Sequence, residues 1–159
     1  MADARFEDGA ERPLHLTAQD AEDLAVISAL VQDAVFPATE MKWDRKARKF
    51  ALLINRFRWE DRAAADAARR PYERVQALLV IADAGAVRTQ GVDRRDKDTV
   101  LSLMSLSWTP GEDGMGTVTL TLAGDGAIAV DVEALDVSLR DVTRPYRAPS
   151  GKAPGHPEG

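Results

Sequence analysis

The chain contains no cysteine. Disulfides, thiolate nucleophiles and zinc sites built on sulfur are therefore excluded, and a reducing compartment suits the composition. Histidine is nearly as scarce, with only His15 and His156. His15 lacks a nameable orienting partner for general-base work. No apolar run reaches the roughly 20 residues a membrane-spanning helix needs. The acidic start, MADARFEDGAERP, lacks the basic-then-apolar order of a secretory signal, so the expected location is cytoplasmic. Phosphate-cradling and dinucleotide glycine loops, a nucleophile elbow and a metal-helix motif are also missing. Asp93, Asp96 and Asp98 resemble a cation loop only superficially. Arg94, Arg95 and Lys97 interleave them, and no closing glutamate follows. No catalytic residue, metal ligand or cofactor is assigned, and a binding module is favoured over an enzyme.

What is present suits one folded unit. A chain of 159 residues can bury a real core. Its net charge of −5 hides an asymmetry: residues 42–74 hold eleven Lys or Arg against five Asp or Glu, and the remainder holds ten against twenty-one. Such a segment either presents a basic face to an anion or folds into a mixed, solvated surface.

The organising stretch is KFALLINRFRWED, residues 49–61. As a strand it has one row of Ala51, Leu53, Asn55, Phe57 and Trp59, and another of Phe50, Leu52, Ile54, Arg56, Arg58 and Glu60. Both rows begin apolar, as in the middle of a sheet. The second becomes charged, so the strand is expected to leave the core and end at a wet rim.

Around it, Pro13–Leu16 reads as a short edge strand. Residues 17–35 admit two readings. One is a helix capped by Thr17, with Leu24, Ile27, Val31 and Val35 near one face. The other, preferred, is a short helix followed by a strand from about Val26. Glu40–Trp43 reads as strand, and Asp44–Ala47 as a hairpin tip. RAAADAARR (62–70) is a short exposed helix or a loop, stopped by Pro71. Residues 73–93 form one bent strand or two, broken near Asp83-Ala84-Gly85. Thr99–Thr109 repeats the central strand's design, with a bulge or deletion. Val118, Leu120 and Leu122, then Gly124-Asp125-Gly126, then Ile128, Val130 and Val132 spell a hairpin. Residues 134–142 suit strand or closing helix.

A shift of fifty residues superposes Asp33, Ala34, Thr39, Arg45 and Leu53 on Asp83, Ala84, Thr89, Arg95 and Leu103, five identities in thirty-two pairs. LDVSLRDVTRP (135–145) echoes ISALVQDAVFP (27–37) more faintly. The fold expected is α+β: a mostly antiparallel β roll or partly open barrel with a short N-terminal helix, built in one reading from two related fifty-residue units. Residues 13–146 would form the single domain, with a flexible 1–12 and a disordered Pro- and Gly-rich tail, 147–159.

The segments DAEDLAVISALVQDAV, KFALLINRFRWE, QGVDRRDKDTVLSL and GTVTLTLAGDGAIAVDVEALDVSLRDV together resemble a bacterial family of uncharacterised proteins, a domain of unknown function, over about residues 14–146. The resemblance implies a small cytosolic protein and supplies no activity, ligand or catalytic residue. The strand-Asp-strand rhythm is similar to pleckstrin-homology-like barrels, at the level of fold alone.

Two ligand hypotheses follow. Asn55 interrupts an apolar row and must find hydrogen-bond partners. With Arg56, Arg58 and Trp59 it would line a small site at the sheet's end, where Arg supplies a planar fork and Trp a stacking face. Pairing of Arg56 or Arg58 with Glu60 is the competing reading. Alternatively Arg45, Lys46, Arg48, Lys49, Arg94 and Arg95 would bind nucleic acid or another anion. The favoured function is a non-catalytic interaction or regulatory module, acting on a protein partner or as a homo-oligomer, with no membrane partner. It predicts an exposed apolar patch.

Overall fold

The computed structural model describes residues 13–93, 95, 98–149 and 153–154. The expectations for residues 1–12, for Arg94, Asp96 and Lys97, and for the tail at 150–152 and 155–159, His156 included, lie outside this set. Among the described residues are eleven strands: β1 (His15–Ala18), β2 (Ala34–Pro37), β3 (Lys42–Asp44), β4 (Lys49–Phe57), β5 (Glu73–Ala82), β6 (Ala84–Gln90), β7 (Val100–Pro110), β8 (Gly116–Leu122), β9 (Ala127–Val132), β10 (Val137–Asp141) and β11 (Tyr146–Arg147). Two helices accompany them, α1 (Ala21–Leu30) and α2 (Arg62–Ala68), with single 3-10 turns at Ala38–Glu40 and Trp59–Asp61.

The strands make one antiparallel sheet in the order β1-β10-β5-β4-β2-β7-β8-β9-β6, with β11 also on β5 and β3 also on β4. The sheet is open, not a closed barrel. One face of each long strand feeds a single apolar cluster: Phe50, Leu52 and Ile54 of β4, Ala77, Leu79 and Ile81 of β5, Val118, Leu120 and Leu122 of β8, Ile128, Val130 and Val132 of β9. Strands so far apart in the order can share one core only if the sheet curls around it.

Local chemistry explains most element boundaries. Asp20 caps α1 by accepting from the Asp23 amide at 2.8 Å. Leu24 and Ile27, followed by Val31, then enter the core from one face. The preferred strand from Val26 is thus overturned: the helix runs to Leu30, Val26 is 53% exposed on its outer side, and the strand begins at Ala34. Asp20, not Thr17, is the cap; Thr17 belongs to β1. Residues 40–43 are also corrected, since a 3-10 turn fills Ala38–Glu40 and β3 starts only at Lys42. Residues 137–141 are strand, because they pair with β5 on one side and β1 on the other.

In β7 the buried residues are Leu103 and Leu106, three apart, and the register with β8 slips between Leu103 and Ser105. One extra residue there turns the strand over, as a bulge does. Beyond Leu103, β2 no longer pairs with β7. The Leu106 amide instead donates to Ser28 Oγ of α1 at 2.9 Å, which meets the demand of a backbone donor that has lost its strand neighbour. Asp33 and Asp83 both take left-handed backbone (φ 64 and φ 55), and each precedes a buried alanine that opens a strand. The local likeness does not extend to pairing, because β2 lies between β4 and β7 whereas β6 pairs with β9.

Candidate functional site

The central strand ends differently from the expectation of a wet rim. Extended backbone stops at Phe57, and Trp59 opens a 3-10 turn leading into α2. The charged row stays on the core side: Arg56 is completely buried and Arg58 is 8% exposed. Arg56 continues the row of Phe50, Leu52 and Ile54. Directly opposite it lies Val75 of β5.

Each donor of the Arg56 guanidinium is used. Nε and Nη2 donate to the two oxygens of Asp141 at 3.0 Å each, so β10 is reached across β5. Nη1 and Nη2 donate to the two oxygens of Glu60 at 2.9 and 2.8 Å. Nη1 also donates to the Phe57 carbonyl at 3.4 Å. A guanidinium has five N–H groups in a planar fork, and these five bonds fill them. Asp141 also accepts from the Leu14 amide at 3.0 Å. One side chain therefore ties the segment leading into β1, the end of β10, the end of β4 and the 3-10 turn.

The network spreads outward. Arg58 donates to Glu73 and lies 3.7 Å from Glu60 and 3.8 Å from Asp61. Arg70 holds Asp61 through two bonds of 2.6 Å. Burial works to raise the Glu60 carboxyl, but the hydrogen bonds and charge of Arg56 outweigh it, and the group sits below its ordinary value. Asp61 is also lowered, chiefly by its hydrogen bond from Arg70. Burial opposes the Arg56 cation, yet Glu60 and Asp141 together raise it above its usual value. Glu60 and Asp61 are therefore ionised and engaged at neutral pH. The cluster is a rivet in which the donors of Arg56 are spent on protein oxygens.

Asn55 and Trp59 leave this network. Phe57 is buried under Trp59 and Tyr72, whose rings meet it edge-on at 4.7 and 5.6 Å. The Trp59 indole N–H donates to the Gln32 carbonyl at 2.9 Å. Asn55 lies on the outer face of the sheet, opposite Gln76 of β5 and Val35 of β2. Its Oδ1 accepts from Arg74 Nη1 at 3.0 Å, and its Nδ2 donates to the Tyr146 hydroxyl at 2.5 Å. Arg74 Nη1 also donates to the Asn55 carbonyl at 3.0 Å. Burial lowers the Arg74 guanidinium, while Tyr146 and Asp33 act in the other direction. Burial raises the Tyr146 phenol, with the charge of Arg74 and the bond from Asn55 opposing it.

Of the four residues expected to share a site, Arg56 and Arg58 thus join one ion-pair network, while Asn55 and Trp59 find other partners. The alternative basic set is also divided. Arg45, Lys46 and Lys49 are exposed on the β3–β4 hairpin, where Arg45 lies over the Trp43 ring and Arg48 pairs with Glu133 at 2.7 Å. Arg95 is exposed beside Asp93. The Arg48 carbonyl bonds the Ala84 amide at the start of β6, whereas Gly91, just past its end, rests against Gly126. Seven residues of strand, on the order of 20 Å, lie between. His15 is exposed on the β1 edge, opposite Arg140.

Asp141, Arg74 and Tyr146 were not singled out from sequence. A usable signal existed for Asp141. It ends the buried alternation Val137, Leu139, Asp141, as Arg56 ends Phe50, Leu52, Ile54, Arg56. Two apolar rows that finish in opposite charges are candidates to meet.

The architecture defines a β-rich protein: an open, curled antiparallel sheet with two short helices and, among the described residues, no helix long and apolar enough to cross a membrane. The chain belongs to the family described as protein of unknown function (DUF2948), which it matches over residues 14–156. Neither a curated protein nor a solved structure matches it significantly.

Proposed function

We propose that this protein is a non-catalytic interaction module that docks a protein partner on the outer face of β10-β5-β4-β2. The supporting observation is the composition of that face. Val35, Leu53, Leu78 and Val80 are only half-buried there, and Val142, just past β10, is 45% exposed beside Gln76. Central strands that are apolar on both faces are normally covered on both, and a contiguous apolar strip marks a contact surface. A photo-crosslinking residue at Leu78, compared with one at exposed Thr121 of β8, tests the reading in cells. A discrete crosslinked species at Leu78 and not at Thr121 supports it; equal labelling, or none, refutes it. A homo-oligomer would give that species at twice the chain mass.

A second reading, binding of nucleic acid or another anion through residues 42–74, has narrower support. Arg48, Arg56, Arg58 and Arg70 are engaged with carboxylates, leaving the hairpin cations Lys42, Arg45, Lys46 and Lys49, exposed Arg62 and Arg69, and half-buried Arg74 as its footing. Affinity would fall steeply with added salt; a flat response removes it.

A further inference from the structure

Asn55 is held between two groups whose hydrogen-bonding roles are fixed. Arginine can only donate, so the amide oxygen must face Arg74 and the NH2 must face Tyr146. Tyr146 therefore receives a hydrogen bond through its oxygen, and its own proton points elsewhere. Among the described residues the phenol donates to nothing, and Arg74 makes no ion pair. Its Nη1 serves Asn55, leaving Nε and Nη2 for other acceptors.

The three side chains form a polarised chain, Arg74 to Asn55 to Tyr146, in which each bond strengthens the next. Tyr146 stands directly opposite Arg74 in the β11–β5 pairing, so their side chains share the outer face. Neither is fully buried, and no buried side-chain polar atom among the described residues lacks a partner, so the spare donors are open to water. Asp33 acts on this half-buried cation through its charge, but no carboxylate is hydrogen-bonded to it or to the neighbouring hydroxyl, so the spare protons of this donor set are taken by no protein oxygen among the described residues.

We propose that Arg74, Asn55 and Tyr146 form a binding site for a small oxyanion, a carboxylate or phosphate group. Its oxygens would accept from Arg74 Nε and Nη2 and from the Tyr146 hydroxyl, while Asn55 holds both donors in place. Planar two-point recognition by Arg with a third neutral donor is the chemistry such groups need. The proposal stands independently of the partner reading, since a free anion suffices.

The test is a titration of the full chain with inorganic phosphate, and separately with acetate, at constant ionic strength. It follows the Asn55 side-chain NH2 and the Arg74 Nε–H by nitrogen-15 NMR. Saturable shifts at both groups are expected for at least one anion, and the two arms separate phosphate from carboxylate. Tyr146→Phe keeps the ring and removes one donor, so it should weaken binding about tenfold while the remaining spectrum stays native. Arg74→Gln should abolish saturation. Non-saturating shifts with both anions, shifts no larger than at the exposed Lys46 amide, or unchanged affinity in Tyr146→Phe would each overturn the assignment.

Discussion

Replacing Asp141 by alanine should be among the costliest single changes in the molecule. It removes the two oxygens that accept from Arg56 at 3.0 Å each, one of which also accepts from the Leu14 amide. Arg56 has no exposed side-chain surface, so its charge depends on these protein acceptors. Breaking a buried pair typically costs about 3–5 kcal/mol. Glu60 still grips the guanidinium at two points, which places the expected loss near the lower end, about 3 kcal/mol. Glu60→Ala should cost less, about 1–2 kcal/mol, because 30% of the Glu60 side chain already meets solvent. The combined change Arg56→Met, Asp141→Leu and Glu60→Gln should recover most of the loss, since it removes the buried charges together and avoids the desolvation an ion pair suffers. Urea denaturation followed by tryptophan fluorescence gives all four free energies. If Asp141→Ala costs under about 1 kcal/mol, or Glu60→Ala costs more than Asp141→Ala, the clamp does not work as described.

Two further outcomes are expected. Glu60 and Asp61 have folded values below their ordinary 4.5 and 3.8, so each contributes stability that is present above those values and lost as pH falls below them. The urea midpoint should therefore drop on acidification through that range, and Glu60→Gln should flatten the drop while lowering the neutral-pH midpoint. At Gly116, an added Cβ would lie 2.5 Å from both the Thr109 carbonyl oxygen and the Trp108 ring. Gly116→Ala should therefore destabilise by about 1–3 kcal/mol, read as a lower melting temperature, whereas a neutral effect would mean Trp108 is not seated over β8.

Much of the fold was legible in the sequence because it rests on local patterns. The β8–β9 hairpin declared itself through alternating Val118, Leu120 and Leu122, and through its Gly-Asp-Gly turn. The break at Asp83 separates β5 from β6. Helix α1 departs from the preferred reading for a definite reason. Likeness to the later copy favours a strand from Val26, whereas the spacing of Leu24, Ile27 and Val31 and the Asp20 cap favour the helix, and local chemistry wins. The candidate site was harder to read. The alternation in β4 correctly placed Arg56 in the row of Ile54, but a charged residue ending an apolar row can face water or a buried partner. What decides is Asp141, 85 residues away in the chain. Likewise the partners of Asn55 lie 19 and 91 residues distant. Periodicity identifies the face a side chain shares; topology alone supplies the opposite charge.

The most direct test of the clamp is nitrogen-15 NMR of the Arg56 guanidinium in the intact protein. Five donated bonds in a buried fork should stop rotation about Cζ–Nε and shield the protons. Separate, slowly exchanging Nη1 and Nη2 signals are therefore predicted at neutral pH, collapsing in Asp141→Ala. A single averaged Nη signal with fast solvent exchange in the wild-type chain would contradict the account.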